Sequence, residues 1–140
     1  MTYDIISSRK FRKEIKIKQP NDLFQFLKRY GKSRQEHFFV ITLNGAHKII
    51  GIHIVSIGLA NRTIVHPREV FYHAIKDNAC ALVFAHNHPS GQLKASSEDE
   101  EITERLVSAA KIMGFHIVDH IIFNREDFYS FRQNGFNLDG

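Results

Sequence analysis

The residues best suited to chemistry lie in Ala85-His86-Asn87-His88-Pro89-Ser90-Gly91 and, shortly after, Ser96-Ser97-Glu98-Asp99. Ala79 to Ala85 is an unbroken apolar run, so His86 and His88 leave the end of a buried strand. Residues two apart on an extended chain point the same way, and two imidazoles on one side can grip one cation. Asp99 supplies a third ligand. It falls in the first turn of a predicted helix whose apolar residues Ile102, Leu106, Ala109 and Met113 share its face. A carboxylate turned toward a core is costly unless charge or hydrogen bonds compensate it. The helix N-terminus contributes only about 0.3–1 kcal/mol, whereas a bound cation would compensate it fully. Two histidines and one carboxylate suit zinc, with a fourth position left for water. A His pair or a first-turn Asp alone has an ordinary structural explanation; together, after an apolar strand and across a short loop, they favour a Zn2+ site of His86, His88 and Asp99. Ser96 precedes the helix. It can cap it, and its hydroxyl can face the open position to stabilise an oxyanion.

These residues need elements to hold them. His37 to Leu43 is a continuous β-prone run, predicted as a central strand covered on both faces. Asn44-Gly45 marks a hairpin turn, and a long strand is expected from about His47 to Leu59, with Gly51 and Gly58 as bulge or bend points. Pro67 can open a helix running to about Asn78, with Val70, Phe71, Ala74 and Ile75 as its apolar stripe. A second helix is predicted over 97–113, with Ser97 and Glu100 at capping-box spacing and Gly114 as terminator. Residues 115–119, 121–124 and 128–131 are further strand candidates. Upstream, Ile15 and Ile17 alternate with charges as in a half-exposed strand, Pro20 ends it, and Asn21 to Arg29 can form a short helix closed by Gly31. The pattern implies an α/β fold: a layered mixed β-sheet flanked by helices.

The 140 residues fit one domain, divided by charge into a basic N-terminal segment, 1–35, and a core from 36 to 140. The first holds 10 Lys/Arg against 3 Asp/Glu, the second 9 against 12. The basic segment reads as a solvated surface in preference to a nucleic-acid arm, since its aromatics look like packing residues. Cys80, the sole cysteine, excludes an internal disulfide and a thiolate-rich metal site, and is expected to be a small buried hydrophobe. No apolar run is long enough for a membrane span and the first residues lack a signal-peptide pattern, so a cytoplasmic protein is the expectation.

His86-x-His88, seven residues, Ser96, two residues and Asp99 match the JAMM metallopeptidase signature. With Glu36-His37-Phe38, His66-Pro67-Arg68-Glu69-Val70, Ile102-Thr103-Glu104-Arg105-Leu106 and Asp119-His120, the chain from about 36 to 135 resembles the RadC-like branch of that family. The resemblance implies an MPN-type, cytidine deaminase-like fold. It also implies that Glu36 is the general base toward zinc-activated water; by itself Glu36 is only a charged residue at a strand start, and Glu69 is the rival carboxylate. Larger RadC-like chains carry a helix-hairpin-helix region that residues 1–35 are too short to hold, and where that branch has Glu-Pro-Ser this chain has Lys94-Ala95-Ser96.

The expected function is hydrolysis of a peptide, isopeptide or other amide bond, with Glu36 and Ser96 as catalytic residues. The alternative is a RadC-type module, associated with DNA repair, that binds nucleic acid or protein without turnover; nucleic acid has little support as a partner. The literal His-Asn-His is not an HNH nuclease motif, and the Cys elements of zinc deaminases are missing. His120 and His53 are read as hydrogen-bonded structural residues ahead of extra metal contacts.

Overall fold

The computed structural model describes residues 3–6 (backbone only), 15–58 and 65–140. The expected strand end at Leu59 lies outside them. Six strands form one sheet: β1 (Tyr3–Ile6), β2 (Glu36–Leu43), β3 (Ile49–Gly58), β4 (Ala81–Asn87), β5 (His116–Phe123) and β6 (Phe128–Ser130), in the order β1-β3-β2-β4-β5-β6. β4 and β5 are parallel and every other neighbouring pair is antiparallel. Helix α1 (Pro20–Leu27) runs into a 3-10 turn (Lys28–Lys32), α2 (Pro67–Lys76) links β3 to β4, and α3 (Ser97–Met113) is the crossover between the parallel pair. The layered α/β architecture expected from the pattern is the one observed.

Central strand β2 shows why its middle, Phe38 to Ile41, is an unbroken apolar run. Phe38 and Val40 pack with Val70, Phe71 and Ala74 of α2 and Leu106, Val107 and Ala110 of α3. Phe39, Ile41 and Leu43 pack on the other side with Leu23, Phe24 and Leu27 of α1. With helices on both faces, alternation is lost. Ile17 belongs to the same second cluster, so the charge division at residue 35 is not a packing boundary. The alternating segment around Ile15 and Ile17 makes only one isolated bridge, Lys16 to Lys48. Gly31 does not close a helix. A Cβ there would sit 2.3 Å from the Asn124–Arg125 backbone, so glycine lets the 3-10 turn press against that loop.

Several local expectations shift. α1 begins at Pro20, and Asp22, not Asn21, receives the free backbone N–H groups of Lys18 and Gln19. The turn after β2 is longer than two residues: Asn44 Oδ1 accepts from the N–H of Ala46 and Lys48, and His47, not Gly45, takes the positive φ of 59°. The β2–β3 register slips between Phe38 and Phe39 and between Thr42 and Leu43, which places the extra residues of β3 at Val55 and Ile50. On α2 the buried stripe is Val70, Phe71, His73 and Ala74, and Ile75 is exposed. Cys80 is also exposed, because β4 starts one residue after it. Residues 115–124 hold one strand rather than two. Among the described residues, no helix is long and apolar enough to cross a membrane.

Candidate metal centre

Three elements meet at the site. Strand β4 continues past the expected stop, so His86 is its penultimate residue, packed at 2% exposure with its ring stacked 6.0 Å from that of Phe38. His88 follows where the chain turns, and its N–H donates to the Phe123 carbonyl. Glu36 opens β2, and the antiparallel pairing of Phe38 with His86 carries that end of β2 to the end of β4.

Asp99 comes from α3. Ser96, not Ser97, is the N-cap: its Oγ accepts the Asp99 N–H at 3.1 Å and its own N–H donates to Asp99 Oδ2 at 2.8 Å. This reciprocal cap satisfies two of the helix's unpaired N–H groups and fixes the carboxylate. The buried face of α3 runs through Thr103, Leu106, Val107 and Ala110, while Met113 is 44% exposed. The apolar stripe expected through Ile102 and Met113 is therefore turned by about one residue. Asp99 stays on the inner side, one helical turn before Thr103.

The side chains converge. His86 Nε2 is 3.1 Å from Asp99 Oδ1, His88 Nε2 is 3.1 Å from Asp99 Oδ2, and the two Nε2 atoms are 3.0 Å apart. Glu36 Oε1 stands further back, 3.8 Å from His86 Nε2 and 3.9 Å from His88 Nε2. One ligand atom from each of these four residues lies within 4.8 Å of the others, the one such group among the described residues. Glu69, the rival carboxylate, is not in it.

Hydrogen-bond polarity shows that this group suits a cation. His88 Nδ1 lies 2.8 Å from the Gln92 carbonyl, which can only accept, so Nδ1 carries the proton. The neutral ring then turns the Nε2 lone pair toward a carboxylate. Such a pair needs a proton or a metal ion between its members. The titration behaviour expresses the same demand for positive charge. Burial works to lower the His88 pKa, but the hydrogen bond and charge of Asp99, the Gln92 carbonyl and the charge of Glu36 outweigh it and raise it. Burial likewise opposes ionisation of Asp99, yet hydrogen bonds from His86 and His88 hold its pKa far below the usual carboxylate range. Two imidazole nitrogens and a carboxylate fit a borderline divalent ion better than a hard, all-oxygen one.

Two supporting residues had no role in the sequence reading. Asn87 is fully buried, its Oδ1 accepting the His37 N–H at 2.7 Å and its Nδ2 donating to the Gln35 carbonyl at 2.9 Å. It clamps the backbone on both sides of Glu36. Its place between two histidines was the available signal, since period two turns it to the opposite face. Thr103 is the other, bonded to buried His120. His53 lies elsewhere, paired with Asp77 at 2.6 Å. The structural reading of both histidines agrees with these contacts.

A mixed sheet between helices, with Glu, His, His and Asp gathered at one end, is the make-up of a JAB/MPN-type domain. A family model described as the RadC-like JAB domain matches residues 17–136, and the chain belongs to that family. It is 45% identical over 122 residues to a UPF0758 protein of Methanospirillum hungatei JF-1, covering 87% of this chain and 51% of that protein. It is 45% identical over 121 residues to a UPF0758 protein of Alkaliphilus metalliredigens, at 84% and 51% coverage. A UPF0758 protein of Pelodictyon phaeoclathratiforme is 38% identical over 121 residues, at 86% and 54% coverage. The chain thus spans about half the length of these relatives.

Proposed function

We propose that the chain is a zinc-dependent hydrolase of amide bonds, peptide or isopeptide, with His86, His88 and Asp99 as metal ligands and Glu36 as general base. The observation that carries this reading is the graded geometry: three donors in mutual contact and one carboxylate set back by less than 1 Å more. These residues would hold zinc, and the ion would supply Lewis acidity toward water and a substrate carbonyl. Glu36 is placed to take a proton from the attacking water and return it to the leaving amine. Its position depends on the Asn87 clamp, which holds the backbone before and after it. Ser96 accepts from the Asp99 N–H through Oγ and so keeps its own O–H to donate to the carbonyl oxygen as negative charge grows there. Asp99 has one oxygen anchored to the Ser96 N–H, so its carboxylate direction is set before anything binds.

The test separates the ligands from the base. Glu36→Gln should retain zinc while hydrolysis of a peptide or isopeptide panel falls by about 10²–10⁴-fold, the usual worth of a general base. Turnover surviving that change would remove Glu36 from the reaction. A wild-type protein that holds zinc yet cleaves nothing, while binding nucleic acid in a salt-dependent way, would favour the module reading instead.

A further inference from the structure

We infer that Thr103 and His120 form a relay that fixes which nitrogen of His86 faces the metal position, which makes both of them positioning residues. The inference rests on the metal reading above, but its main readout does not.

The relay follows from counting protons. Thr103 Oγ1 lies 2.6 Å from the Asp99 backbone carbonyl, which can only accept, so the hydroxyl proton is committed there. The same Oγ1 is 2.6 Å from His120 Nδ1. With its single proton already given, it can only accept, and His120 must carry its proton on Nδ1. His120 is fully buried among Phe38, Phe84 and Phe131, with the Phe131 ring stacked 4.5 Å away. A charged imidazolium is disfavoured in such surroundings. The neutral ring presents a lone pair at Nε2, 2.7 Å from His86 Nδ1. His86 must then donate from Nδ1, and its own lone pair is left on Nε2, facing Asp99 Oδ1.

The four residues close a ring. From the Asp99 carbonyl, hydrogen bonds pass through the Thr103 hydroxyl and His120 to His86 Nδ1, and the metal position between His86 Nε2 and Asp99 Oδ1 closes the circuit. Two proposed ligands from different elements, β4 and α3, are thereby tied through side chains inside the core. His88 reaches the same state by a separate route, a loop carbonyl. The neighbours that hold a ligand histidine's second nitrogen commonly set its tautomer and basicity; here that neighbour is another histidine, whose own orientation is set by a helical threonine.

The test compares Thr103→Val, which keeps shape and removes the hydroxyl, with Thr103→Ser, which keeps the hydroxyl. In the ¹⁵N-labelled full chain, with and without zinc, long-range ¹H–¹⁵N spectra report which ring nitrogen is protonated. The wild type and Thr103→Ser should show His86 protonated on Nδ1 in both states, and on Nδ1 alone once zinc is bound. Thr103→Val should give a mixture of tautomers at His86 with His88 unchanged, and zinc affinity about 10- to 100-fold weaker, restored by Thr103→Ser. A metal-free wild type with His86 Nδ1 unprotonated would overturn the relay, as would a Thr103→Val protein with unaltered tautomer and affinity. If Thr103→Val does not fold, the wild-type tautomer decides. If the wild type takes up no zinc, the metal reading fails and the tautomer still decides the relay.

Discussion

Two polar clusters, both built from histidine and aspartate, occupy opposite ends of β2 on the face covered by α2 and α3. One is Glu36, His86, His88 and Asp99. The other is at Thr42, where Asp77 Oδ2 accepts from the Thr42 hydroxyl at 2.7 Å and bonds His53 Nε2 at 2.6 Å, with the His53 and His73 rings stacked at 4.2 Å. Thr42 is six residues along β2 from Glu36, about 20 Å at strand spacing. The difference lies in direction. In the second cluster a hydroxyl and an imidazole both serve one carboxylate oxygen, and the contacts tie α2 to the sheet. In the first, two Nε2 atoms are aimed at a carboxylate and at each other, and the Nδ1 protons of both rings are already used elsewhere. Composition does not distinguish a structural lock from a candidate metal centre; the number of lone pairs left pointing at one place does.

Variants and conditions can break or sharpen that contrast. The largest expected effect comes from the metal. Zinc at about a thousand times its Kd should raise the unfolding free energy by about 4 kcal/mol. His53→Ala should keep this increment and Asp99→Ala should lose it, measured by denaturant unfolding with and without zinc. An increment lost equally in both variants would erase the distinction between the clusters.

Next is Asn87→Ala, which releases the backbone around Glu36. Loss of that clamp should lower hydrolysis by about 10- to 100-fold, the usual cost of a misplaced catalytic group, with zinc content unchanged. Loss of zinc in this variant would assign Asn87 to the ligands instead. His53→Ala should then destabilise the fold by about 2 kcal/mol, the scale of a buried hydrogen bond to a charged group, without touching the metal.

The smallest effect is in pH. Without metal, the raised pKa of His88 means that its contribution to stability is present below the unfolded histidine value and is lost as pH rises through the folded value. The lowered pKa of Asp99 acts in the other direction, supplying stability above the unfolded carboxylate value that is lost as pH falls. Metal-free protein should therefore lose stability from about pH 6.5 upward. Zinc should reverse that trend, since it binds where protons leave. Unfolding curves at several pH values check this, and a slope of the same sign with and without zinc would count against it.

Much of the candidate site was legible in the sequence because its signals are local. A histidine pair at a strand end, a cap and a first-turn carboxylate are each encoded within a few residues, and α3 has its expected bounds because Ser96 and the positive-φ Gly114 act locally. What was not legible depends on rotation and on distant partners. Ile75 and Met113 are apolar but face outward, since the packing of each helix on the sheet, not periodicity alone, selects its buried face. Cys80 follows an apolar logic, yet its backbone completes bonds to Leu43 and His116 at the strand end, where its side chain meets solvent. His120 and Thr103 are 17 residues apart and meet only once α3 crosses over to β5. No local pattern announces such a contact. The role proposed for Glu36 came from resemblance, and the pairing of β2 with β4 is the physical reason it lies beside two histidines 50 and 52 residues downstream.

The most direct measurement is zinc titration of the folded chain by calorimetry, with the coordination sphere read by X-ray absorption. One zinc per chain is expected, bound by two imidazole nitrogens at about 2.0 Å and a carboxylate oxygen, and lost in His88→Ala while the fold persists. A folded wild type that binds no stoichiometric divalent ion, or a His88→Ala protein that binds zinc as well as the wild type, would contradict it.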